Sequence, residues 1–234
     1  WAVPPKDRVK PSLIARLRRE IQNISWQRLR RGTGMNRNIP DYDGRLPENY
    51  LFLPFQVEND SQLILHSPLV GADMGKFVEV CRGAARQVAA DMRLVVKLHP
   101  ANLKQVDYSD LMKRFPDVLF YKSGPIGELI EKSRGVITIN STVGLEALTY
   151  YKPVVTLGDN FYNVAGVVEH VTSLKALPTA LAAALSRPVD KTKIDQLLYY
   201  LYAHYFAHGS WRDFSPTSCE NVADKISSLL GASG

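Results

Sequence analysis

From Gly135 to Gly158 the sequence GVITINSTVGLEALTYYKPVVTLG reads as strand, polar turn, helix, turn and strand, and this series constrains the fold more than any other stretch. Val136, Ile137 and Ile139 make a short buried strand, Asn140, Ser141 and Thr142 sit where it ends, and Val143 to Tyr150 continue as a helix that stops before Pro153. Hydroxyls and unpaired backbone amides therefore collect at a helix N-terminus, where the amides and the helix dipole favour an anion. A phosphate-bearing ligand is the natural reading. A Ser or Thr before a helix is also an ordinary N-cap, and most such caps bind nothing.

A second motif bears on that choice. Met92-Arg-Leu-Val-Val-Lys-Leu-His-Pro100 is another apolar run ending in polar chemistry, with Lys97, His99 and Pro100 at the expected carboxyl end of a parallel strand. Ligands of open α/β sheets bind outside those strand ends, so both motifs are expected to face one crevice.

The remaining pattern extends the alternation. Tyr50 to Phe55 reads as a first strand, Gln56 to Ser61 as a polar turn, Asp73 to Ala90 as a helix, and Asp117 to Tyr121 as a further strand. Pro125 to Ser133 reads as a short helix with Pro in its first turn, and Val154 to Leu157 as the next strand. From about Leu174 the chain is mostly helical, over Ala180 to Leu185, Thr192 to Ala207 and Cys219 to Leu230. The expected class is α/β: a Rossmann-like parallel sheet with helices on both faces and a helical carboxyl-terminal region.

Residues 1–47 are expected to form a basic arm and linker, and residues 48–234 the domain. The arm carries the positive excess: residues 1–45 hold 11 Lys/Arg against 4 Asp/Glu, within a net charge of +6 for the chain. Between Pro11 and Arg31, Leu13, Leu17, Ile21 and Ile24 fall at helical spacing among six arginines. Such a helix over residues 10–31 suits an anionic membrane surface, or simply packs on its own domain with its charges solvated. Nucleic acid is not expected, because no binding motif accompanies the charge. Arg37 to Glu48, rich in Asn, Asp, Pro and Gly, reads as a linker or surface loop.

Several classes are excluded. No run approaches the roughly 18 apolar residues of a membrane span, and no apolar signal-peptide core stands at the start. Cys81 and Cys219 make neither a metal pattern nor a disulfide framework, so a reducing, cytoplasmic setting without a bound metal is expected. The dinucleotide fingerprint, the P-loop and the G-x-S-x-G elbow are all absent.

Leu-Pro-Phe-Gln-Val-Glu-Asn-Asp-Ser61, Lys-Leu-His-Pro100, Ile-Asn-Ser-Thr-Val-Gly-Leu-Glu-Ala-Leu148 and Lys-Pro-Val-Val-Thr-Leu-Gly158 follow one another in this order. In this the chain resembles the capsule polysaccharide biosynthesis and export family, which includes Kdo transferases, over about residues 48 to 170. The resemblance implies the carboxyl-terminal half of a GT-B glycosyltransferase, with no cofactor. Its substrates would be a CMP-activated sugar, expected to be Kdo, and a lipid or glycan acceptor. The enzyme would be cytoplasmic, or peripheral on the inner face of the cytoplasmic membrane. It further implies that His99-Pro100 and Ser141-Thr142 hold the nucleotide phosphate, and that Glu146 binds ribose hydroxyls, a solvated helix carboxylate being its other reading. Lys97 is expected to neutralise the phosphate or only to cap the strand edge, and Gln56 and Asn140 are expected with them in the nucleotide-sugar site. Imidazole, hydroxyls and helix-end amides can stabilise a departing nucleotide without a metal.

Gln56, Glu58 and Asp60 follow the first strand and are expected near the cleft, with Asp60 or Glu58 as base or nucleophile. A turn carboxylate that binds backbone amides is the commoner fate of such residues. A complete GT-B enzyme has two Rossmann domains, and the basic arm stands where the first would be, so an amino-terminal domain is expected to be missing. Two other readings stay open: a UDP-sugar glycosyltransferase or epimerase, and a non-catalytic scaffold for capsule assembly.

Overall fold

The computed structural model describes residues 36–208 and 214–231. The expected basic helix over residues 10–31 lies outside the described residues. Six strands form one sheet: β1 (Tyr50–Pro54), β2 (Arg93–Lys97), β3 (Leu119–Tyr121), β4 (Gly135–Thr138), β5 (Val154–Thr156) and β6 (Glu169–His170). All the pairings are parallel and the order is β3-β2-β1-β4-β5-β6. The order reverses between β1 and β4, and that switch point is where an open α/β sheet leaves a crevice at its carboxyl edge. Pro54 pairs with Lys97 and Phe52 with Val136, so the ends of β1, β2 and β4 lie side by side.

The helices are α1 (Ser61–Leu65), α2 (Met74–Val88), α3 (Ser109–Arg114), α4 (Ile126–Glu131), α5 (Thr142–Thr149), α6 (Leu177–Ser186), α7 (Lys191–Tyr200, continued by a π turn Leu201–Tyr205) and α8 (Pro216–Gly231). Every residue of β1 is buried, as a central parallel strand requires. Its side chains alternate. Leu51 and Leu53 join the cluster containing Phe77, Val78 and Cys81 of α2 and Leu181 of α6. Tyr50 and Phe52 join the opposite one, with Leu129, Ile130, Ala147, Leu148 and Ile194 from α4, α5 and α7. Each fully buried Leu or Phe contributes about 1.5–3 kcal/mol, so both faces need their helices.

The α/β class and the five expected strands stand as read. Three elements differ. Asp60 caps α1 inside the expected polar turn, accepting from the Gln62 amide at 2.8 Å. α3 lies in a stretch left without an element, and β6 is a sixth strand of two half-buried residues. The packing also reaches back beyond the expected start of the domain at residue 48. Ile39 is buried in the core, and Asn36 donates to the Leu103 and Val106 carbonyls at 3.1 and 2.7 Å while accepting from the Tyr108 amide at 2.9 Å.

α5 ends as the sequence suggested, but not on a glycine. Tyr151 takes φ 51°, and the amides of Tyr151 and Lys152 return to the Leu148 and Ala147 carbonyls in a Schellman turn. The left-handed conformation costs a non-glycine residue about 1 kcal/mol. It is offset by a hydrogen bond from the Tyr151 hydroxyl to Asp195 at 2.9 Å and by Lys191 over the ring at 5.0 Å.

Candidate functional site

The crevice at the switch point is about 470 Å³ in volume. Its apolar walls include Phe52, Phe55, Ile126 and Val143, and its polar border includes Gln56, Asp60, Lys97, His99, Asn140, Ser141 and Thr142. The two motifs singled out in the sequence, at the ends of β2 and β4, thus meet in one cavity.

The β4 side is fixed by the start of α5. Ser141 is the N-cap, with extended backbone (φ −68°, ψ 144°) and a hydroxyl that accepts from the Val143 amide at 3.2 Å. Its carbonyl accepts from the Gly144 amide at 3.0 Å and from the hydroxyl of buried Tyr162. A Cβ on Gly144 would collide with that hydroxyl, so glycine is required in the first turn by close approach. Gly158, after β5, is similarly closed in by the His66 carbonyl and Ile139.

The β2 side supplies cationic and imidazole chemistry. Lys97 is half-buried, and burial holds its ammonium below the ordinary range. Among the described residues the ammonium has neither a hydrogen bond nor an ion pair. Burial, and then Lys97, pull His99 below its ordinary value, while Asp60 pulls the other way. The His99 Nδ1 accepts from the Ala101 amide at 3.2 Å, which leaves Nε2 as the protonated nitrogen of the neutral ring. His99 is therefore poised as a donor beside an unpaired cation, an arrangement suited to an anion.

Gln56 and Asn140 join the two sides. Gln56 Nε2 donates to Asn140 Oδ1 at 2.7 Å, and Gln56 Oε1 accepts from the Asn140 amide at 3.1 Å and the Thr138 hydroxyl at 3.2 Å. Asn140 Nδ2 donates in turn to the Gln62 carbonyl at 2.9 Å. These two side chains are bound largely to the protein and shape the crevice wall.

The two carboxylates are treated differently. Asp60 borders the crevice while capping α1. Glu58 lies outside the lining residues, half-buried, and accepts from the Tyr108 hydroxyl at 3.2 Å; burial raises its carboxyl above the ordinary value. Glu146 is exposed on α5 and does not line the crevice, so the structure does not gather it with the others.

The family model for the capsule polysaccharide biosynthesis protein matches residues 15–206. The chain belongs to the capsule polysaccharide biosynthesis protein family. Among its relatives, Protein FixF of Sinorhizobium fredii is 39% identical over 179 residues, which are 76% of this chain and 43% of that protein. Capsule polysaccharide export protein KpsS of Escherichia coli is 31% identical over 137 residues, 55% of this chain and 35% of that one. The chain spans less than half the length of these curated relatives. Among solved structures, KpsC beta Kdo 2,7 transferase of Thermosulfurimonas dismutans superposes with a TM-score of 0.44 at 20% identity, over 76% of this chain and 61% of that one.

Within this capsule-family fold, sequence reasoning missed the residues that hold the site from behind. Thr138 donates to Gln56 and accepts from the Ser141 amide at 3.2 Å; Asn102 donates to the Gln56 carbonyl at 3.0 Å and to the Tyr108 hydroxyl at 2.9 Å. A buried threonine at a strand end was the one available signal. A further polar cluster lies at the ends of β5 and β6. His170 Nδ1 stands 3.2 Å from the Thr156 hydroxyl and 3.0 Å from Asn163 Nδ2, with Nε2 3.5 Å from Asp159. Among the described residues there is no cluster of metal-ligating side chains and no helix long and apolar enough to cross a membrane.

Proposed function

We propose that this chain is the donor-binding half of a GT-B glycosyltransferase of capsular or surface polysaccharide assembly, and that its crevice holds a CMP-activated sugar, Kdo or a similar acid sugar. One observation carries the reading: the first turn of α5, with Ser141 and Thr142, borders the same crevice as the unpaired Lys97 and the Nε2 donor of His99. Unpaired helix-end amides, an ammonium and an imidazole N–H are the groups that stabilise a nucleotide phosphate as its bond to the sugar breaks. The apolar walls at Phe52, Phe55 and Ile126 suit the faces of the base and sugar rings.

Of the two candidate carboxylates, Asp60 is the better situated to meet a sugar in the crevice. The acceptor is a lipid or a growing glycan. It approaches from the side that a second Rossmann domain would close, and the basic arm docks the enzyme on an anionic membrane surface.

Calorimetric titration of the chain with CMP and UDP, alongside His99→Ala and Ser141→Ala, tests the reading. CMP binding that both substitutions weaken supports it. Preference for UDP transfers the site to a UDP-sugar enzyme, and a folded chain that binds neither nucleotide leaves the scaffold role.

A further inference from the structure

We infer that Tyr162 is a positioning residue for the phosphate site, aiming the Thr142 amide into the crevice through the peptide unit it holds. The inference rests on the donor-site reading above. Tyr162 is 0% exposed, and burial pushes its hydroxyl above the ordinary value, so it stays protonated and donates. Its acceptor is the Ser141 carbonyl. That carbonyl and the Thr142 N–H belong to one planar trans peptide, so a donor that fixes the direction of the C=O fixes the N–H pointing the opposite way. Thr142 is the first residue of α5, its amide is among those no helical carbonyl can reach, and the described residues supply it no acceptor.

The local packing is consistent with a built device. The first turn of α5 carries Gly144, whose missing side chain makes room for the Tyr162 hydroxyl, with Thr138 Cγ2 3.1 Å from where a Cβ would stand. Tyr162 itself is set by the segment after β5, where the Asn160 side chain accepts from its amide at 3.0 Å and Phe161 meets its ring edge-on at 5.4 Å. The loop after β5 thus reaches across to orient a group at the end of β4.

The test compares CMP with cytidine, which lacks the phosphate, on the full chain. In Tyr162→Phe, CMP affinity is expected to fall about fivefold, the worth of one ordinary hydrogen bond, while cytidine affinity is unchanged. Gly144→Ala is expected to lower both thermal stability and CMP affinity. Adding Tyr162→Phe to it removes the hydroxyl contact but leaves Thr138 Cγ2 and the ring Cζ each 3.1 Å from the added Cβ, so the melting temperature is expected to recover in part, and the CMP-to-cytidine affinity ratio not at all. Equal loss of CMP and cytidine binding in Tyr162→Phe, wild-type affinity for both, or recovery of the ratio along with stability in the double variant would each overturn the inference. Absence of CMP binding by the wild-type chain sinks the donor-site reading instead, which separates the two failures.

Discussion

Gln56 and Asn140, 84 residues apart in sequence, form a two-point bracket across the switch point of the sheet, side chain to side chain at 2.7 Å and side chain to backbone at 3.1 Å. The bracket holds the end of β1 against the end of β4 at the place where no strand-to-strand hydrogen bond continues. Its loss leaves the Asn140 amide and the Thr138 hydroxyl without their acceptor. Gln56→Ala is expected to destabilise the chain by about 1–3 kcal/mol in urea unfolding. Gln56→Glu keeps the acceptor but opposes two oxygens, and is expected to be no better than alanine.

His99 gives stability a pH dependence of defined sign. Folding depresses it below its ordinary value of 6.5. Below that value the unfolded chain binds more protons than the folded one, so stability falls as pH drops through this window. The melting temperature is expected to decrease from about pH 7.5 to about pH 5.5, and to do so less steeply in His99→Gln. An equal slope in the variant would remove His99 as the cause.

Glu58 acts in the opposite sense. Folding raises it above its ordinary value of 4.5, so its favourable contribution is present below that value and lost as pH rises through the folded-state value. Glu58→Gln retains an acceptor for the Tyr108 hydroxyl and removes the half-buried charge. The variant is expected to be at least as stable as wild type at neutral pH, with the difference vanishing in acid. If the proposed transferase activity is measured and the same variant retains it, Glu58 is assigned to structure and Asp60 is left as the carboxylate to test.

Lys97 is a half-buried cation without a partner among the described residues, a configuration that favours binding over stability. Lys97→Met is expected to match or exceed wild-type stability in thermal unfolding while weakening CMP about tenfold or more. Parallel loss of both properties would show that Lys97 is a structural residue.

The sequence was legible wherever a local pattern decides structure. The apolar run Val136 to Ile139, the cap at Ser141 and the stop before Pro153 mark β4 and α5 almost to the residue. Lys97 and His99 could be assigned to a strand end because the run before them is continuous. β6 escaped because Glu169 and His170 carry no apolar signal and are ordered by pairing with Val155 and Thr156. α1 escaped because it is one turn long and buries Leu63 alone. Glu146 was named on the family resemblance, which does not say which way its turn of α5 faces, and the residue is exposed. The supports of Gln56 came from Asn102, 46 residues away, a distance no local pattern spans.

The Asn36 lock has a mechanical meaning. Its three hydrogen bonds fasten the first described residues to the 103–108 loop, whose Tyr108 and neighbouring Asn102 hold Glu58 and the Gln56 carbonyl. That loop also follows directly on His99. A displacement of Asn36 would therefore reach first the wall of the crevice that carries the imidazole. Asn36 is thus the pin that ties residues 36–39 to the crevice wall.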